Sequence, residues 1–198
     1  MEKAVVRKTA LAQRMALSME QVIALSEKLL LQFAALDFEK IHTIHLFLPI
    51  EEKNEPDTFM LASWLRANYP EIRIIVPKAD FTTSLMTHHP YKGEESLQKN
   101  LFNILEPILD EEYIGQIDMV IVPLLAFDSK GYRVGYGKGF YDRFLEEREA
   151  IKVGLSLFEN VDTITDIHEN DVRLDLCLTP GKTFYFNNQA SSSTNIGQ

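Results

Sequence analysis

Residues 126–145 read AFDSKGYRVGYGKGFYDRFL and hold Gly131, Gly135, Gly137 and Gly139, four of the nine glycines of the chain. Alternate glycines at 135, 137 and 139 suit a loop that adopts positive φ, admits a ligand close to the backbone and turns its N–H groups inward as a cradle for anions. The apolar run before it, DMVIVP at 118–123, reads as a short buried strand. Residues 140–149 after it read as a helix with Tyr141, Phe144 and Leu145 on one face. Strand, glycine loop and helix in that order make a phosphate-binding arrangement.

The local charge agrees. Within 126–145 four bases, Lys130, Arg133, Lys138 and Arg143, stand against two acids, Asp128 and Asp142, in a chain of net charge −9. A basic island in an acidic protein points to a small anionic ligand. Two common nucleotide fingerprints are absent: there is no GxxxxGK[ST], and GxGxxG would need glycine where Phe140 stands. Asp142 falls in the first turn of the expected helix, where a carboxylate can hold Mg²⁺ against a bound phosphate, and Arg133 and Lys138 flank the same space. For a GxGxG taken alone, tight turns beside a surface helix account for the glycines equally well.

A chain of 198 residues, 45% hydrophobic and 25% charged, suits one folded domain, expected over 1–186. Its polar end, NNQASSSTNIGQ at 187–198, lacks core formers and reads as a disordered tail. The isoelectric point near 5.1 argues against nucleic-acid or anionic-membrane partners, which favour broad basic faces. A lone cysteine, Cys177, excludes an internal disulfide and sits in the alternating run LDLCL at 174–178, where a buried small residue is expected rather than a nucleophile. No signal peptide or membrane-length apolar run is seen, so a cytoplasmic monomer acting on a small molecule is expected.

Along the chain, residues 2–17 have helical character, with Val5, Val6, Thr9 and Ala12 near one face, and with Lys3, Arg7, Lys8 and Arg14 exposed. Lys3 and Arg7 are four apart and so adjacent on the helix; by itself this is a solvated basic face. Ser18 and Gln21 form a capping-box pattern that opens a second helix to about Leu36. TIHLFLP at 43–49 is a strand, the acidic segment 51–57 a loop ending in a cap at Asp57 or Thr58, 58–68 a helix and 72–76 a β-branched strand. Lys78 at the end of that strand is a weaker ligand candidate, and His88 and His89 fall in a surface loop or edge hairpin. Residues 152–156 and 183–186 complete the strands. The alternation of short aliphatic strands with helices gives an α/β fold with a largely parallel sheet covered on both faces.

The run VPLLAFDSKGYRVGYGKGFYDRFL at 122–145 resembles the signature of the 5-formyltetrahydrofolate cyclo-ligases (5,10-methenyltetrahydrofolate synthetases), VPGxAFDxxGxRLGxGxGYYDRFL. It departs at Leu124, Val134 and Phe140. The resemblance implies a three-layer Rossmann-like domain and ATP-dependent cyclisation of 5-formyltetrahydrofolate to 5,10-methenyltetrahydrofolate, with ADP and phosphate released through a phosphorylated formyl (iminophosphate) intermediate. It implies ATP as co-substrate and Mg²⁺ as metal, and a folate that can carry a polyglutamate tail. By the same resemblance Lys3, Arg7, Arg133, Gly135, Gly137, Lys138, Gly139, Phe140 and Tyr141 belong to the ATP site, with Arg133 and Lys138 stabilising transferred charge. Leu48, Glu55 and Tyr136 face the folate. His168 to Asp175 resembles the family's H-D-x-x-V-D, which makes Asp175 the metal partner of Asp142. Two other classes remain open at this point: a sugar-phosphate or CoA-handling enzyme, and a non-catalytic nucleotide or folate sensor.

Overall fold

The computed structural model describes residues 1–146 and 148–186, so the tail expected at 187–198 lies outside the described residues. The apolar runs become the parallel centre of a seven-stranded sheet: β1 (Thr43–His45), β2 (Arg73–Asp80), β6 (Met119–Pro123), β9 (Ile151–Leu155) and β10 (Leu176–Leu178). Antiparallel strands close both edges, β3 (Leu85–Pro90) against β2 and β11 (Thr183–Tyr185) against β10. The spatial order is β11-β10-β9-β6-β1-β2-β3. Two small pairs stand apart from it, β4 (Leu97–Lys99) with β5 (Leu105–Pro107) and β7 (Ala126–Phe127) with β8 (Arg133–Val134).

Because strand side chains alternate, each strand feeds two cores. On one face Ile44, Ile74, Val76, Met119, Ile121 and Val153 pack against α2 (Met19–Ala34) and α3 (Thr58–Asn68) through Leu29, Phe33, Leu61 and Leu65. On the other, Ile75, Val120, Val122 and Cys177 meet Leu145 of α4 (Phe140–Leu145) and Leu174. Each such side chain, fully buried, contributes about 1.5–3 kcal/mol, and a one-residue slip in register would exchange the two faces. The result is three layers with helices on both sides of a mostly parallel sheet.

Local signals set the element ends. Ser18 Oγ accepts from Gln21 N–H while Gln21 Oε1 accepts from Ser18 N–H, a complete capping box at the start of α2. Asp57 Oδ1 accepts from Phe59 N–H and opens α3. Three elements are shorter or displaced relative to expectation. The strand at 43–49 keeps its ladder only over β1, because the chain beyond Leu46 leaves the sheet toward Pro49, which has no N–H to pair. The helix at 140–149 stops at Leu145, where Glu146 and Glu149 oppose the helix dipole at its C-terminal end. In α1 (Lys3–Met15) the buried stripe is Val6, Ala10 and Arg14, four apart, while Val5, Thr9 and Ala12 face solvent.

Candidate active site

The chain runs from β1 through α3 to β2 on one side, then returns to β6, β9 and β10 on the other, so its direction of travel switches between β1 and β6. Ligands bind beyond the carboxyl ends of the strands at such a switch. A cavity of about 700 Å³ opens there, walled by Leu48 after β1, Pro77 in β2, Pro123 at the end of β6 and the glycine loop. Its size lies in the range of small-molecule sites.

The loop has the expected left-handed backbone at two of its three alternate glycines, whereas Gly135 keeps an ordinary φ with open space around it. Gly137 and Gly139 take φ of 87° and 70°, left-handed values costly for residues with a Cβ. Arg7 reaches from α1 and its Nε donates to the Gly135 carbonyl at 2.8 Å. A Cβ on Gly137 would lie 3.2 Å from the Arg7 guanidinium carbon, so this glycine also makes room for Arg7. Gly139 is the N-cap of α4 and launches Phe140, Tyr141 and Asp142 along the cavity wall. Lys138 is exposed at the rim, and the ring of Phe140 stands edge-on to Phe81 at 5.5 Å.

Carboxylates and bases alternate at one end. Arg133 donates to Asp142 Oδ1 at 2.8 Å and also to the Val172 carbonyl, while Val172 N–H donates to Asp142 Oδ1 at 3.3 Å. Burial pushes the Arg133 pKa below its usual value, opposed by Asp142 and Asp171. Lys3 pairs with Asp171, whose Oδ2 also accepts from His168 N–H at 2.7 Å. Both Asp142 and Asp171 line the cavity.

Asp175 does not join Asp142 there. It stands at the amino end of the parallel strands, just before β10, where its carboxylate accepts from Lys152 N–H at 2.8 Å and lies 3.7 Å from Lys152 Nζ. The segment passes the cavity at Asp171 and then descends beside β9, which takes position 175 to the opposite rim of the sheet. Asp171, not Asp175, is the carboxylate of this segment that lines the cavity with Asp142. No group of three or more His, Cys, Asp or Glu suited to a metal is present among the described residues.

At the other end Leu48, Glu55 and Tyr136 converge. Glu55 is 6% exposed; Oε2 accepts from Ile50 N–H at 2.9 Å, Oε1 from Tyr136 Oη–H at 2.8 Å, and Arg14 comes within 3.7 Å. Burial raises the Glu55 pKa above the ordinary carboxylate value, and Arg14, then the Ile50 N–H and the Tyr136 hydroxyl, work against that rise. Burial, reinforced by the nearby Glu55, raises the Tyr136 pKa, so its hydroxyl stays protonated and donates. Beside them, half-buried Tyr141 has its hydroxyl oxygen buried without a protein partner, and burial likewise keeps it protonated.

Arg14 and Asp171 are the residues that reading the sequence did not find. Arg14 was expected in solvent, yet it is 3% exposed, donating to the Leu124 carbonyl at 3.1 Å and to Tyr136, with its guanidinium 5.6 Å from that ring. Its signal was the spacing Val6, Ala10, Arg14, which places it on the buried stripe two turns beyond Arg7. Lys78, by contrast, turns out to Asp110 at 2.7 Å. His88 and His89 do form an edge hairpin in β3, but both are buried, beneath Phe144 and against the Glu111 carbonyl respectively.

Comparison with known proteins gives a consistent result. A curated 5-formyltetrahydrofolate cyclo-ligase of Mycoplasma pneumoniae is 34% identical over 185 residues, spanning 90% of this chain and 98% of the relative. That of Escherichia coli K12 is 28% identical, over 72% of this chain and 80% of its own. Among solved structures, the Aquifex aeolicus 5,10-methenyltetrahydrofolate synthetase superposes with a TM-score of 0.81 at 29% identity, covering all of both chains. The Mycoplasma pneumoniae 5,10-methenyltetrahydrofolate synthetase gives 0.70 at 29%, covering 91% of this chain and 99% of that one. The model of the 5-formyltetrahydrofolate cyclo-ligase family matches residues 1–180, which takes in α1, the glycine loop and Asp171 together, and the chain belongs to that family.

Proposed function

We propose that the protein converts 5-formyltetrahydrofolate and ATP to 5,10-methenyltetrahydrofolate, ADP and phosphate. The observation that carries this reading is the division of a single cavity. One end offers a buried carboxylate fixed by Arg14, Tyr136 and Ile50, suited to the N–H and amino groups of a pterin; the other offers the glycine loop with Lys3, Arg7, Arg133 and Lys138, suited to a triphosphate. Family membership, with relatives named for this reaction, supports it.

The formyl oxygen of a formamide is a poor leaving group, so it must first be made a good one. In the proposed sequence that oxygen attacks the terminal phosphorus of ATP and ADP leaves, giving an iminophosphate. N10 then adds to the formyl carbon and loses its proton, and expulsion of phosphate, carrying the former formyl oxygen, leaves the methenyl bridge. Such a transfer rests on positioning and on neutralising charge rather than on a protein nucleophile. Cys177, buried in the sheet core with its thiol pKa raised by burial, has no place in it.

The chain's own residues divide the work. Arg7 and Arg133 are held by the loop and by Asp142 and face the phosphates as fixed cations; Lys138 at the rim closes on them. Glu55 and Leu48 fix the pterin, Tyr136 spends its O–H on holding Glu55, and Tyr141 lines the wall between the two ends. Mg²⁺ is usually held by one or two protein carboxylates, with phosphates and water completing its shell. Asp142 and Asp171, two cavity carboxylates now neutralised by Arg133 and Lys3, fit that donor set and would hold it. The ion would supply charge neutralisation for the phosphates. Labelling the formyl group with heavy oxygen tests the sequence: the label should appear in the released phosphate, and label remaining in solvent water or in the folate product would refute the phosphorylated intermediate.

A further inference from the structure

The glycine loop at 135–139 is fastened at its two ends and held lightly between them. Val134 before it accepts from Leu125 N–H at 2.7 Å, and Gly139 at its end accepts from Arg143 N–H at 3.2 Å. Arg143 also donates to the Lys138 carbonyl. The rest of its hydrogen bonding among the described residues involves α1, through Arg7 on the Gly135 carbonyl at 2.8 Å and Arg14 on the Tyr136 hydroxyl, and Glu55, again through Tyr136. Arg7 and Arg14 are seven residues apart, about two helical turns, so one helix grips neighbouring residues of the loop from two points along its length.

Tyr136 is the joint between the two ends of the cavity. It stands between Gly135, which has open space around it, and Gly137, at φ 87° and close to Arg7. Its hydroxyl donates to Glu55 Oε1 at 2.8 Å and accepts from Arg14, whose guanidinium carbon is 5.6 Å from the ring. The same helix steadies Glu55 from its other side, because Asn54 Nδ2 donates to the Arg14 and Leu17 carbonyls, each at 3.0 Å. One side chain therefore ties the phosphate-facing backbone to the carboxylate at the pterin end.

Two arrangements of this loop differ in what they offer a ligand. When Tyr136 is seated, Glu55 keeps its hydroxyl partner and the backbone on either side of Tyr136 stays beside Arg7. When Tyr136 leaves Glu55, the carboxylate loses that partner and the loop loses its attachment to the pterin end. A ligand at either end favours the seated arrangement, and the second ligand then meets a loop already in place. We propose that Tyr136 couples the two ends of the cavity, so that a nucleotide on the glycine loop and a folate at Glu55 each raise the affinity for the other. Tyr136 acts here as a positioning residue, through Glu55 and the loop backbone. The inference rests on the two-ended reading of the cavity and adds to it an energetic link between the ends.

Calorimetric titration of the whole chain with 5-formyltetrahydrofolate tests it, with and without Mg²⁺ and a β,γ-imido analogue of ATP that is not turned over. In the wild type the analogue should tighten folate binding about fivefold, and the folate should tighten analogue binding by the same factor. In Tyr136→Phe, which keeps the ring and removes the hydroxyl, the factor should fall below about twofold. This factor is a ratio of two affinities measured in one variant, so a uniformly weaker folate site leaves it unchanged. Amide hydrogen exchange gives a second reading that the wild type alone can supply: folate by itself should slow exchange across 137–139, at the phosphate end. Equal folate affinity with and without the analogue in the wild type would overturn the proposal, as would exchange at 137–139 that ignores the folate. A factor retained in full by Tyr136→Phe would show that the ligands sense one another directly and would overturn it too. Each of these results leaves the folate and nucleotide readings intact, whereas failure of either ligand to bind alone or together would overturn those readings as well.

Discussion

Replacing Arg14 by Met removes the cation that faces Glu55 and leaves a side chain of similar reach. At 3.7 Å and an effective dielectric constant of about 20, the lost attraction is at most about 4.5 kcal/mol. The Ile50 N–H and the Tyr136 hydroxyl stay in place and offset part of the loss, so the Glu55 pKa should rise further above the ordinary carboxylate value. Since burial already raises that pKa, the change adds to an existing tendency. Two consequences have opposite pH dependence. The acid limb of kcat/KM should move to higher pH, because less of the carboxylate is ionised to meet the pterin. The stability deficit of the variant, about 3 kcal/mol at neutral pH from an unpaired buried charge, should shrink as pH falls through the raised folded-state pKa and Glu55 takes up a proton. Carboxyl-carbon NMR titration of Glu55, with the pH profile and denaturant unfolding, gives all three quantities. An acid limb and a carboxyl titration that both stay where they are in the wild type would refute the role given to Arg14.

The glycine loop predicts that Gly137→Ala, at φ 87° and 3.2 Å from the Arg7 guanidinium, costs about 1–2 kcal/mol and raises KM for ATP more than KM for the folate; an unchanged KM for ATP would mean that the loop does not hold the nucleotide. Asp142→Asn and Asp171→Asn should each lower turnover by orders of magnitude and raise the Mg²⁺ concentration needed, whereas Asp175→Asn should leave the Mg²⁺ dependence alone, and steady-state rates against Mg²⁺ would expose a reversal. His45 is 0% exposed with neither ring nitrogen partnered, its pKa lowered by burial and then by His88, and His88 is held at about 4. Both bind protons more readily unfolded, so stability should be full above about pH 6.5 and fall toward pH 4, by about 3 kcal/mol from His88 alone; urea unfolding that is no weaker at about pH 5 than at about pH 7 would contradict this.

The parts of this molecule that follow local rules were legible in its residues: the capping box at Ser18, the cap at Asp57, the strand expected at 72–76 that begins β2, and the glycine loop between β6 and α4. So was most of the site, since Arg7, Glu55, Tyr136 and Asp142 do meet at one cavity. What escaped depends on tertiary packing. Arg14 looks like any surface arginine of an amphipathic helix until α1 is laid against β7 and β8, when the stripe through Val6 and Ala10 carries it under Tyr136. Asp171 and Asp175 are four apart in an irregular segment, and only the path of that segment, over the cavity at 171 and down to the amino end of β10 at 175, separates a candidate metal ligand from a structural carboxylate. His88 and His89, polar and adjacent, gave no sign that α4 and the loop at 110–113 would cover them both.

The most direct test of the central claim follows ADP release and the absorbance of the methenyl product together in one reaction. The account predicts that neither proceeds without the other and that ADP and 5,10-methenyltetrahydrofolate form in equal amounts. Methenyl product formed without ATP, or ADP released at the same rate with 5-formyltetrahydrofolate left out, would contradict it.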